Sequence, residues 1–193
     1  MAVMEENITK TNLDKLYNSF VTKAETLTTQ VYRANNNDEV VECIKKEVNT
    51  LDAKKVVGCE SELTVKLGLK EKIADIDSID SYFENISEEV EDADIGISEL
   101  DIAVAKSSTL IQNAESYETR VVSMLPKTHI AVVKTKNLVP ELTDAFEVLK
   151  EKYGTAVPPY LAFITGPSKT ADIERTLTIG VHGPGRLVVI FVD

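Results

Sequence analysis

A polar loop near the carboxyl end of the chain carries the residues best suited to chemistry. Gly166 and Pro167 form a corner, and Ser168, Lys169 and Thr170 follow it directly. If a helix begins after this corner, backbone N–H groups, two hydroxyls and one ammonium could converge on a phosphate or a carboxylate. The same residues could instead only cap a helix, with the lysine in solvent. The residue pattern leaves both interpretations open, because the loop lacks the glycine and lysine spacing of a P-loop.

A second Gly–Pro corner, at Gly183 and Pro184, directly follows a histidine. His182 could serve as a general acid or base, or donate to an anion, because imidazole titrates near neutrality. It could also be a turn histidine that bonds only to backbone. We predict that the two corners bring Lys169, Asp172 and His182 to one concave mouth.

Three further charged side chains could take part in this mouth. Asp172 and Glu174 stand two positions apart, so on a helix they would point about 200° apart and could not form a close acid and base pair. We expect Asp172 to be the inward one of the two, a catalytic residue with His182 that could orient Lys169 or Arg120, while Glu174 contacts the ligand or only favours the helix dipole. Arg120 could grip an anion with two hydrogen bonds, or only pair with Glu118 at the surface, where an ion pair contributes little.

Composition limits the classes of function. The chain has 193 residues, of which 43% are hydrophobic, enough for one domain with a sizeable core. Its net charge of -11 lies almost entirely in residues 1–97, which hold 11 basic and 21 acidic side chains. Such a chain repels nucleic acid and anionic membrane surfaces. No segment is apolar over the length that spans a bilayer, and the first residues do not follow the order of a secretory signal, so we predict a cytoplasmic protein.

The metal-ligating residue types are too few and too scattered to predict a metal or iron–sulfur site in this chain. Cys43 and Cys59 do not form a C-x-x-C pair, and His129 and His182 are far apart in the sequence. His129 lies in an apolar strand, where a structural role is the simpler interpretation. A hydrolase triad and a Rossmann dinucleotide site are also not indicated, because neither Gly-x-Ser-x-Gly nor Gly-x-Gly-x-x-Gly occurs.

The arrangement of apolar segments predicts a three-layer α/β fold around a mostly parallel sheet. Apolar runs at residues 161–164 and 187–192 are bounded by glycine and proline, as is typical of strands buried on both faces of such a sheet. Ligands in these folds sit beyond the carboxyl ends of the strands, where residues 165–172 would then lie. Further predicted elements are strands at 55–59, 73–76 and 128–133, a hairpin inserted in the sheet from residue 95 to 111, and helices at 11–31, 37–48, 61–69 and from residue 140.

These elements predict a single structural domain. Residues 1–50 would form an N-terminal helical segment packed on the core, and residues 51–193 would form the α/β core itself. The N-terminal helices need such a partner because each presents an apolar face.

The two corners, taken together, resemble the paired signature of the LUD-domain family, the group that includes lactate-utilisation protein C. The signature occupies residues 166–174 and 180–184, and Arg120 with residues 123–133 and residues 94–98 also resemble that family. The resemblance covers roughly residues 90–193. It implies the fold class shared by sugar-phosphate isomerases and CoA-transferases, which bind phosphorylated or carboxylated small molecules at the ends of their strands.

The function implied by this resemblance is an accessory or ligand-binding component of a lactate-utilisation system. In such a system the oxidation of lactate to pyruvate depends on partner subunits that carry iron–sulfur clusters, and this chain lacks the cysteines for them. The expected ligand is a small anionic metabolite held by residues 166–172, with Gly183 beside it. The alternatives are an independent enzyme acting on a small phosphorylated or acyl/CoA substrate, and a non-catalytic anion sensor. A homo-oligomer is also open.

Two departures from the family pattern leave room for a different ligand. The family usually has alanine, an acidic residue, threonine and glycine where this chain has Ala105 followed by Lys106, Ser107 and Ser108. Losing the acid and the glycine changes the local charge and the backbone freedom. A glycine, at position 185, also precedes Arg186.

Overall fold

The structure is a computed structural model that describes residues 10–170 and 178–193. Its helices are α1 (Lys10–Thr26), α2 (Asn37–Leu51), α3 (Glu62–Leu67), α4 (Leu69–Ala74), α5 (Tyr117–Met124) and α6 (Leu142–Tyr153), with short 3₁₀ turns at Ile86–Glu88 and Thr135–Asn137. Its strands are β1 (Gln30–Ala34), β2 (Lys55–Gly58), β3 (Asp80–Tyr82), β4 (Ile95–Leu100), β5 (Ile102–Val104), β6 (Thr109–Asn113), β7 (Thr128–Lys134), β8 (Leu138–Val139), β9 (Leu161–Thr165), β10 (Lys169–Thr170), β11 (Thr178–Ile179) and β12 (Arg186–Val192).

A parallel sheet of six strands forms the centre of the molecule, in the order β1-β12-β7-β4-β2-β3. Every neighbouring pair in it runs parallel. A second sheet, in the order β8-β5-β6-β9, lies against one face. The predicted three-layer α/β class with a mostly parallel sheet is therefore confirmed.

Side chains from the central strands alternate between two cores, as the pleat requires. On one face Ile97, Ile130 and Ile190 pack under α2, α3 and α4, and α2 contributes apolar residues spaced three and four apart. On the other face Phe191 packs edge-on against Phe20 of α1, with ring centroids 5.0 Å apart. The same face is covered by the second sheet and by α5.

Capping side chains fix where two of these helices begin. Asn36 accepts a hydrogen bond from the Glu39 backbone and starts α2. Ser61 starts α3, as predicted, through a reciprocal pair of bonds with Thr64. This cap places the first turn of α3 directly after the carboxyl end of β2.

Two local predictions for the first half of the chain were wrong. Residues 73–76 were expected to form a strand, but Ile73 lies in α4, where it shares one buried face with Leu69 at helical spacing. The helix predicted to continue through Val31 ends at Thr26, and Gln30–Ala34 instead pairs with β12 as an edge strand of the central sheet. The first 50 residues therefore contribute a strand as well as helices.

The strand that leads into residues 166–170 was also assigned to the wrong sheet. Leu161–Thr165 pairs antiparallel with β6 in the second sheet, and none of its side chains is fully buried. The predicted hairpin does form, between β5 and β6, but it belongs to that second sheet rather than the central one. The strands predicted at 55–59, 128–133 and 187–192 are confirmed as β2, β7 and β12.

Candidate functional site

The two Gly–Pro corners lie side by side. The backbone N–H of Ser168 donates to the Pro184 carbonyl, and that of Gly180 donates to the Ser168 carbonyl, each at 2.9 Å. Lys169 pairs with Ile179 in the short antiparallel ladder of β10 and β11. We call residues 166–170 and 180–185 the paired loops.

Small residues allow the paired loops to approach closely. A Cβ added at Gly183 would lie 3.2 Å from the Ser168 Cβ and 3.3 Å from its Oγ. Gly180 has a φ of +78°, which favours glycine. Gly166 packs on Leu27, the residue after α1, and Pro167 is buried. The Ser168 side chain therefore faces the turn that carries His182.

Lys169 and His182 are both exposed on the paired loops. Thr170 belongs to β10. The predicted partners Asp172 and Glu174 lie outside the described residues, so their roles remain predictions. The structure thus brings together the loops that carry Ser168, Lys169 and His182.

The paired loops lie at the amino edge of the central sheet. Pro184 and Gly185 come directly before β12, and the Gly185 N–H donates to the carbonyl of Lys127, the residue before β7, at 3.0 Å. The prediction that this loop lies beyond the carboxyl ends of parallel strands was therefore wrong for its described residues, 165–170. The reason is that β9, which leads into this loop, runs in the second sheet.

Arg120 lies away from the paired loops. Its Nη1 donates to the carbonyls of Ala114 and Glu115 at 2.7 and 2.8 Å, and its guanidinium lies 4.9 Å from the centre of the Tyr160 ring. Tyr160 precedes β9, whereas Gly166 follows it, so the length of a strand of five residues, roughly 16 Å, separates them. A role for Arg120 in holding the same anion as Lys169 remains a prediction that this geometry does not favour.

Arg186 has a structural partner. Its Nη2 lies 2.6 Å from Oε2 of Glu47, which is 1% exposed on α2. Glu47 also accepts a hydrogen bond from the Tyr32 hydroxyl at 2.6 Å. Burial and this bond raise the pKa of Tyr32 to about 12. The arginine that follows the paired loops therefore anchors the start of β12 to a helix.

A cleft of about 490 Å³ opens at the other edge of the sheet, beyond the carboxyl ends of β2 and β4. We call it the carboxyl-end cleft. Parallel sheets place ligands at this position. Its walls come from three segments: the residues after β2 (Cys59, Glu60, Ser61), those at the end of β4 (Ser98, Glu99, Asp101) and those leading into α5 (Asn113, Glu115, Ser116, Thr119).

A buried polar network holds the wall at Ser98. The Ser98 Oγ lies 2.8 Å from His129 Nε2 and accepts a hydrogen bond from Gln112 Nε2, also at 2.8 Å. Serine and histidine are each 1% exposed. Burial lowers the pKa of His129 to about 4, so its imidazole is neutral at pH 7. His129 therefore occupies a buried position in β7 and makes a poor general base near neutrality.

Other groups in the cleft are also held by the protein. Glu99 accepts a hydrogen bond from the Leu63 N–H at 3.0 Å, and Asp101 lies 2.6 Å from the Lys152 ammonium. Burial raises the pKa of the Cys59 thiol to about 12. That thiol stays protonated at pH 7 and is a weak nucleophile.

The carboxyl-end cleft is an acidic environment. Its walls hold four carboxylates and, among the residues described, no lysine or arginine. Glu60 and Glu115 are exposed. Lysines just outside the walls partly offset this charge, since Lys70, Lys134 and Lys152 lie 2.6–3.6 Å from Glu60, Glu99 and Asp101. The repulsion of a lactate-like or phosphate-like anion is reduced accordingly.

Sequence reasoning missed this cleft. Its walls come from segments roughly 40 and 15 positions apart along the chain, and only the strand order brings them together. One signal was present, since Ser61 and Ser116 each stand at a helix start. The first of these follows a predicted strand directly, the arrangement that lines strand-end sites.

The described residues contain neither a metal-binding cluster nor a membrane-spanning helix. Within residues 10–170 and 178–193, no group of three or more His, Cys, Asp and Glu side chains is arranged to hold a metal ion. None of the helices in the same ranges has the length and apolar character needed to cross a bilayer.

Comparison with known proteins extends the resemblance seen in the sequence. The LUD domain family model matches residues 17–192. A lactate utilization protein C from Bacillus velezensis is 41% identical over 108 residues, which is 55% of this chain and 45% of the relative. One from Oceanobacillus iheyensis is 29% identical over 167 residues, covering 82% of this chain and 72% of the relative. The matches to the Bacillus and Geobacillus relatives thus span about half of those proteins.

A solved structure matches the fold. The crystal structure of a DUF162 family protein from Deinococcus radiodurans has a TM-score of 0.65, covers 94% of this chain and 98% of its own, and is 19% identical. At that identity the likeness concerns the architecture alone, and it agrees with the central parallel sheet and its flanking helices.

Proposed function

The chain belongs to the LUD domain family, and from this premise we propose that it is an accessory or ligand-binding component of a lactate-utilisation system. The curated relatives, which carry the name lactate utilization protein C, support this assignment. The ligand would be a small anionic metabolite, with lactate or pyruvate the first candidates. The observation that carries the proposal is the pair of backbone bonds that joins Ser168 to Gly180 and Pro184.

The paired loops offer the chemistry that a small carboxylate needs. Lys169 supplies a positive charge, His182 an imidazole, and Ser168 a hydroxyl, all on adjoining turns. The glycines at 180 and 183 keep side chains away from the backbone N–H groups there. By contrast, the acidic walls of the carboxyl-end cleft oppose the same ligand. Charge therefore favours the paired loops as the anion site.

Iron–sulfur subunits would carry the electrons in this proposal. Oxidation of lactate to pyruvate releases two electrons and two protons, so it needs an electron acceptor. Cys43 and Cys59 are the only cysteines of the chain, and one cluster generally takes four thiolates. This chain would accordingly hold or deliver the metabolite in the cytoplasm, while partner subunits accept the electrons.

An exposed apolar patch supports a role beside other subunits. Leu142 and Phe146 lie one turn apart on α6 and are 40% and 50% exposed. Phe163 on β9 is 44% exposed, and its ring centroid lies 6.1 Å from that of Phe146. Exposed apolar side chains that lie next to one another in this way are typical of surfaces that contact another protein.

Binding measurements test the proposal. We expect L-lactate or pyruvate to shift the backbone amide resonances of Ser168, Gly180 and Gly183 in a saturable way. Lys169→Ala and His182→Ala should each weaken binding roughly fivefold, about 1 kcal/mol for one charge contact or hydrogen bond. The matched control is Lys150→Ala, which removes an exposed lysine from α6.

The outcome also separates the alternatives. Loss of activity of the reconstituted lactate-oxidising system in Lys169→Ala, with no turnover by the chain alone, supports the accessory component. Turnover of a sugar phosphate or CoA ester by the isolated chain would instead establish an enzyme. Binding without any effect on the reconstituted system would indicate a sensor. Equal weakening by Lys150→Ala would contradict a site at the paired loops.

A further inference from the structure

We propose that a second copy of this chain pairs with the free edge of β9, and that Arg120 of the partner subunit then completes the anion site at the paired loops. The ligand in this inference rests on the proposed function, whereas the pairing of the two copies does not. In the part of the chain that the structure describes, β6 pairs with one edge of β9 and no strand pairs with the other. An edge of this kind is a template for a strand of another chain.

The free edge of β9 lacks the features that usually prevent strands from pairing. Leu161–Thr165 contains no charged residue and no proline, and Phe163 at its middle is 44% exposed. The net charge of -11 would keep two copies apart, but it lies almost entirely in residues 1–97, so β9 belongs to the nearly neutral remainder. Charge therefore favours contact between copies at this edge over contact through the acidic first half.

The backbone groups of β9 that point away from β6 are arranged symmetrically. The Ala114 N–H donates to the Tyr160 carbonyl, and these two residues continue the register of β6 and β9. Because hydrogen-bonded and non-hydrogen-bonded pairs alternate in an antiparallel ladder, the N–H and C=O groups of Leu161, Phe163 and Thr165 point outwards. A two-fold axis at Phe163 would therefore pair all of these groups, Phe163 with its own copy and Leu161 with Thr165.

The side chains of β9 also complement one another in this arrangement. On one face Phe163 would lie beside its own copy, and each of these rings already lies next to Phe146, with centroids 6.1 Å apart. On the other face the small Ala162 would lie opposite the larger Ile164, both of them half-buried in the single chain. Aromatic and apolar cross-strand pairs stabilise antiparallel sheets. This self-complementarity is what a two-fold contact requires, so it favours a second copy over a different protein.

The pairing brings Arg120 of the partner subunit to the paired loops. Within one chain the length of β9 separates Arg120 from Gly166. Pairing about Phe163 instead places Gly166, where the paired loops begin, across from the partner subunit's Tyr160, and neighbouring strands lie about 5 Å apart. The Arg120 guanidinium lies 4.9 Å from the centre of the Tyr160 ring of its own chain. Each tyrosine therefore carries an arginine to the loops of the other copy.

Arg120 keeps hydrogen-bond donors for an anion. Its Nη1 donates to the carbonyls of Ala114 and Glu115, whereas Nε and Nη2 donate to no group among the residues described. These two nitrogens form a fork that fits a carboxylate. Together with Lys169 and His182, they would give each site donors from both subunits. A ligand that bridges the copies should therefore also strengthen their pairing.

Sedimentation velocity of the full chain tests the pairing. We expect the mass of a dimer, twice 21.3 kDa, and a folded monomer for Phe163→Lys, because two lysines would face each other at the axis. The matched control is Val65→Lys, which adds the same charge at a side chain that is 63% exposed on α3 and should stay dimeric. A monomeric parent would overturn the proposal, and so would a Phe163→Lys variant that stays dimeric.

A disulfide test of the register does not depend on the lysine variant. Phe163→Cys should give a covalent dimer under mild oxidation, since the Cα atoms of a hydrogen-bonded pair lie about 5.5 Å apart, within the range that disulfides span. Val65→Cys and the parent, which has free Cys43 and Cys59, are the controls and should stay monomeric on a denaturing gel. Crosslinking of Phe163→Cys no faster than that of Val65→Cys would contradict pairing at β9.

Mixed dimers test whether Arg120 acts across the axis. Arg120→Ala and Lys169→Ala should each weaken the binding of L-lactate roughly fivefold. After the two variant chains exchange subunits, one site of each mixed dimer holds both side chains and should regain the parent affinity. A merely structural role of Arg120 gives no such recovery. Absence of recovery would therefore overturn the shared site.

The pairing and the anion site can fail separately. A dimer that binds no L-lactate would confirm the pairing and contradict the proposed anion site, and with it the role of Arg120. A monomer that binds L-lactate at the paired loops would contradict the pairing and keep the anion site. The free edge of β9 would then be open to a strand of a different protein.

Discussion

The paired loops and the carboxyl-end cleft differ in almost every physical respect. The loops lie beside the amino ends of β7 and β12, present Lys169 and His182 to solvent, and are built from residues near the end of the chain. The cleft lies beyond the carboxyl ends of β2 and β4, is concave and acidic, and gathers three distant segments. The family signature and the carboxyl-end cleft therefore mark different places in the described part of this molecule.

This difference shows what each kind of observation can establish. A compact motif consists of residues that are close in the sequence, so it can be recognised without a structure. Its position relative to the sheet, however, depends on which strand the neighbouring strand pairs with. A cleft has no such run, and it becomes visible only with the strand order. Substitutions that damage one region and spare the other are the sharpest tests of whether they are independent.

Gly96→Ala should have the largest effect and should disturb both regions. A Cβ at Gly96 would lie 2.2 Å from the Val122 carbonyl oxygen of α5, a contact that only a backbone shift can relieve. We expect a loss of about 3 kcal/mol or more, seen as a fall in Tm of roughly 6–12 °C. A variant whose Tm lies within about 2 °C of the parent's would contradict the close packing of α5 on β4.

Acid should destabilise the cleft side through His129. Its folded pKa of about 4 lies below the unfolded value of about 6.5, so between these values the unfolded chain binds more protons. Above pH 6.5 the titration of His129 does not reduce the free energy of unfolding. As the pH falls towards 4, the same titration lowers the free energy of unfolding by about 3 kcal/mol. Urea unfolding at pH 7.5 and pH 4 should show this loss in the parent.

His129→Gln isolates that effect, because a glutamine amide can still bond to Ser98 but does not titrate. Its loss of unfolding free energy between the two pH values should be smaller by about the same 3 kcal/mol. Equal losses in parent and variant would mean that the histidine is not buried in neutral form. Anion binding at the paired loops should be unaffected at pH 7.5.

Glu47→Gln should weaken the amino edge and spare the cleft. It removes the charge that pairs with Arg186 at 2.6 Å, although the arginine is partly exposed and solvent screens the pair. We expect a loss of about 1–2 kcal/mol in urea unfolding. Glu42→Gln on the same helix is the control, since that side chain is 71% exposed, and should stay within about 0.5 kcal/mol. Equal losses in the two variants would remove the special role of Glu47.

Gly183→Ala should give the smallest change in stability, below about 1 kcal/mol, because the Ser168 side chain can move by a few tenths of an ångström. The methyl group would nevertheless separate the paired loops. We expect lactate affinity, measured by amide shifts, to fall several-fold, while the resonances of Ser98 and Ser116 at the carboxyl-end cleft keep their positions. Displaced resonances at the cleft would show that the two regions are not independent.

Much of the fold could be predicted from the sequence because its central strands are buried on both faces. The runs that became β2, β7 and β12 are apolar and short, with glycine or proline beside them. Residues 73–76 could not be assigned this way, since two isoleucines three apart fit a helix face as well as a strand. The strand at Gln30–Ala34 was missed because Val31 continued the apolar spacing of α1.

The candidate sites, like the fold, could be predicted from the sequence only in part. Adjacency of Ser168 and His182 was predictable, because two Gly–Pro corners flank one short segment. Which edge of the central sheet the paired loops occupy was not predictable, because it depends on the pairing of β9 with β6, a long-range contact. Arg120 was grouped with the loops on its residue type, yet its contacts with Ala114 and Tyr160 place it at the far end of β9.

Helix α5 connects the two edges of the central sheet. Ser116 at its start lines the cleft, and the Met124 carbonyl at its end lies 3.8 Å from where a Cβ of Gly183 would be. A helix of eight residues is about 12 Å long. Because α5 packs against Gly96 and its two ends reach the cleft and the paired loops, a substitution that displaces this helix should disturb both regions at once.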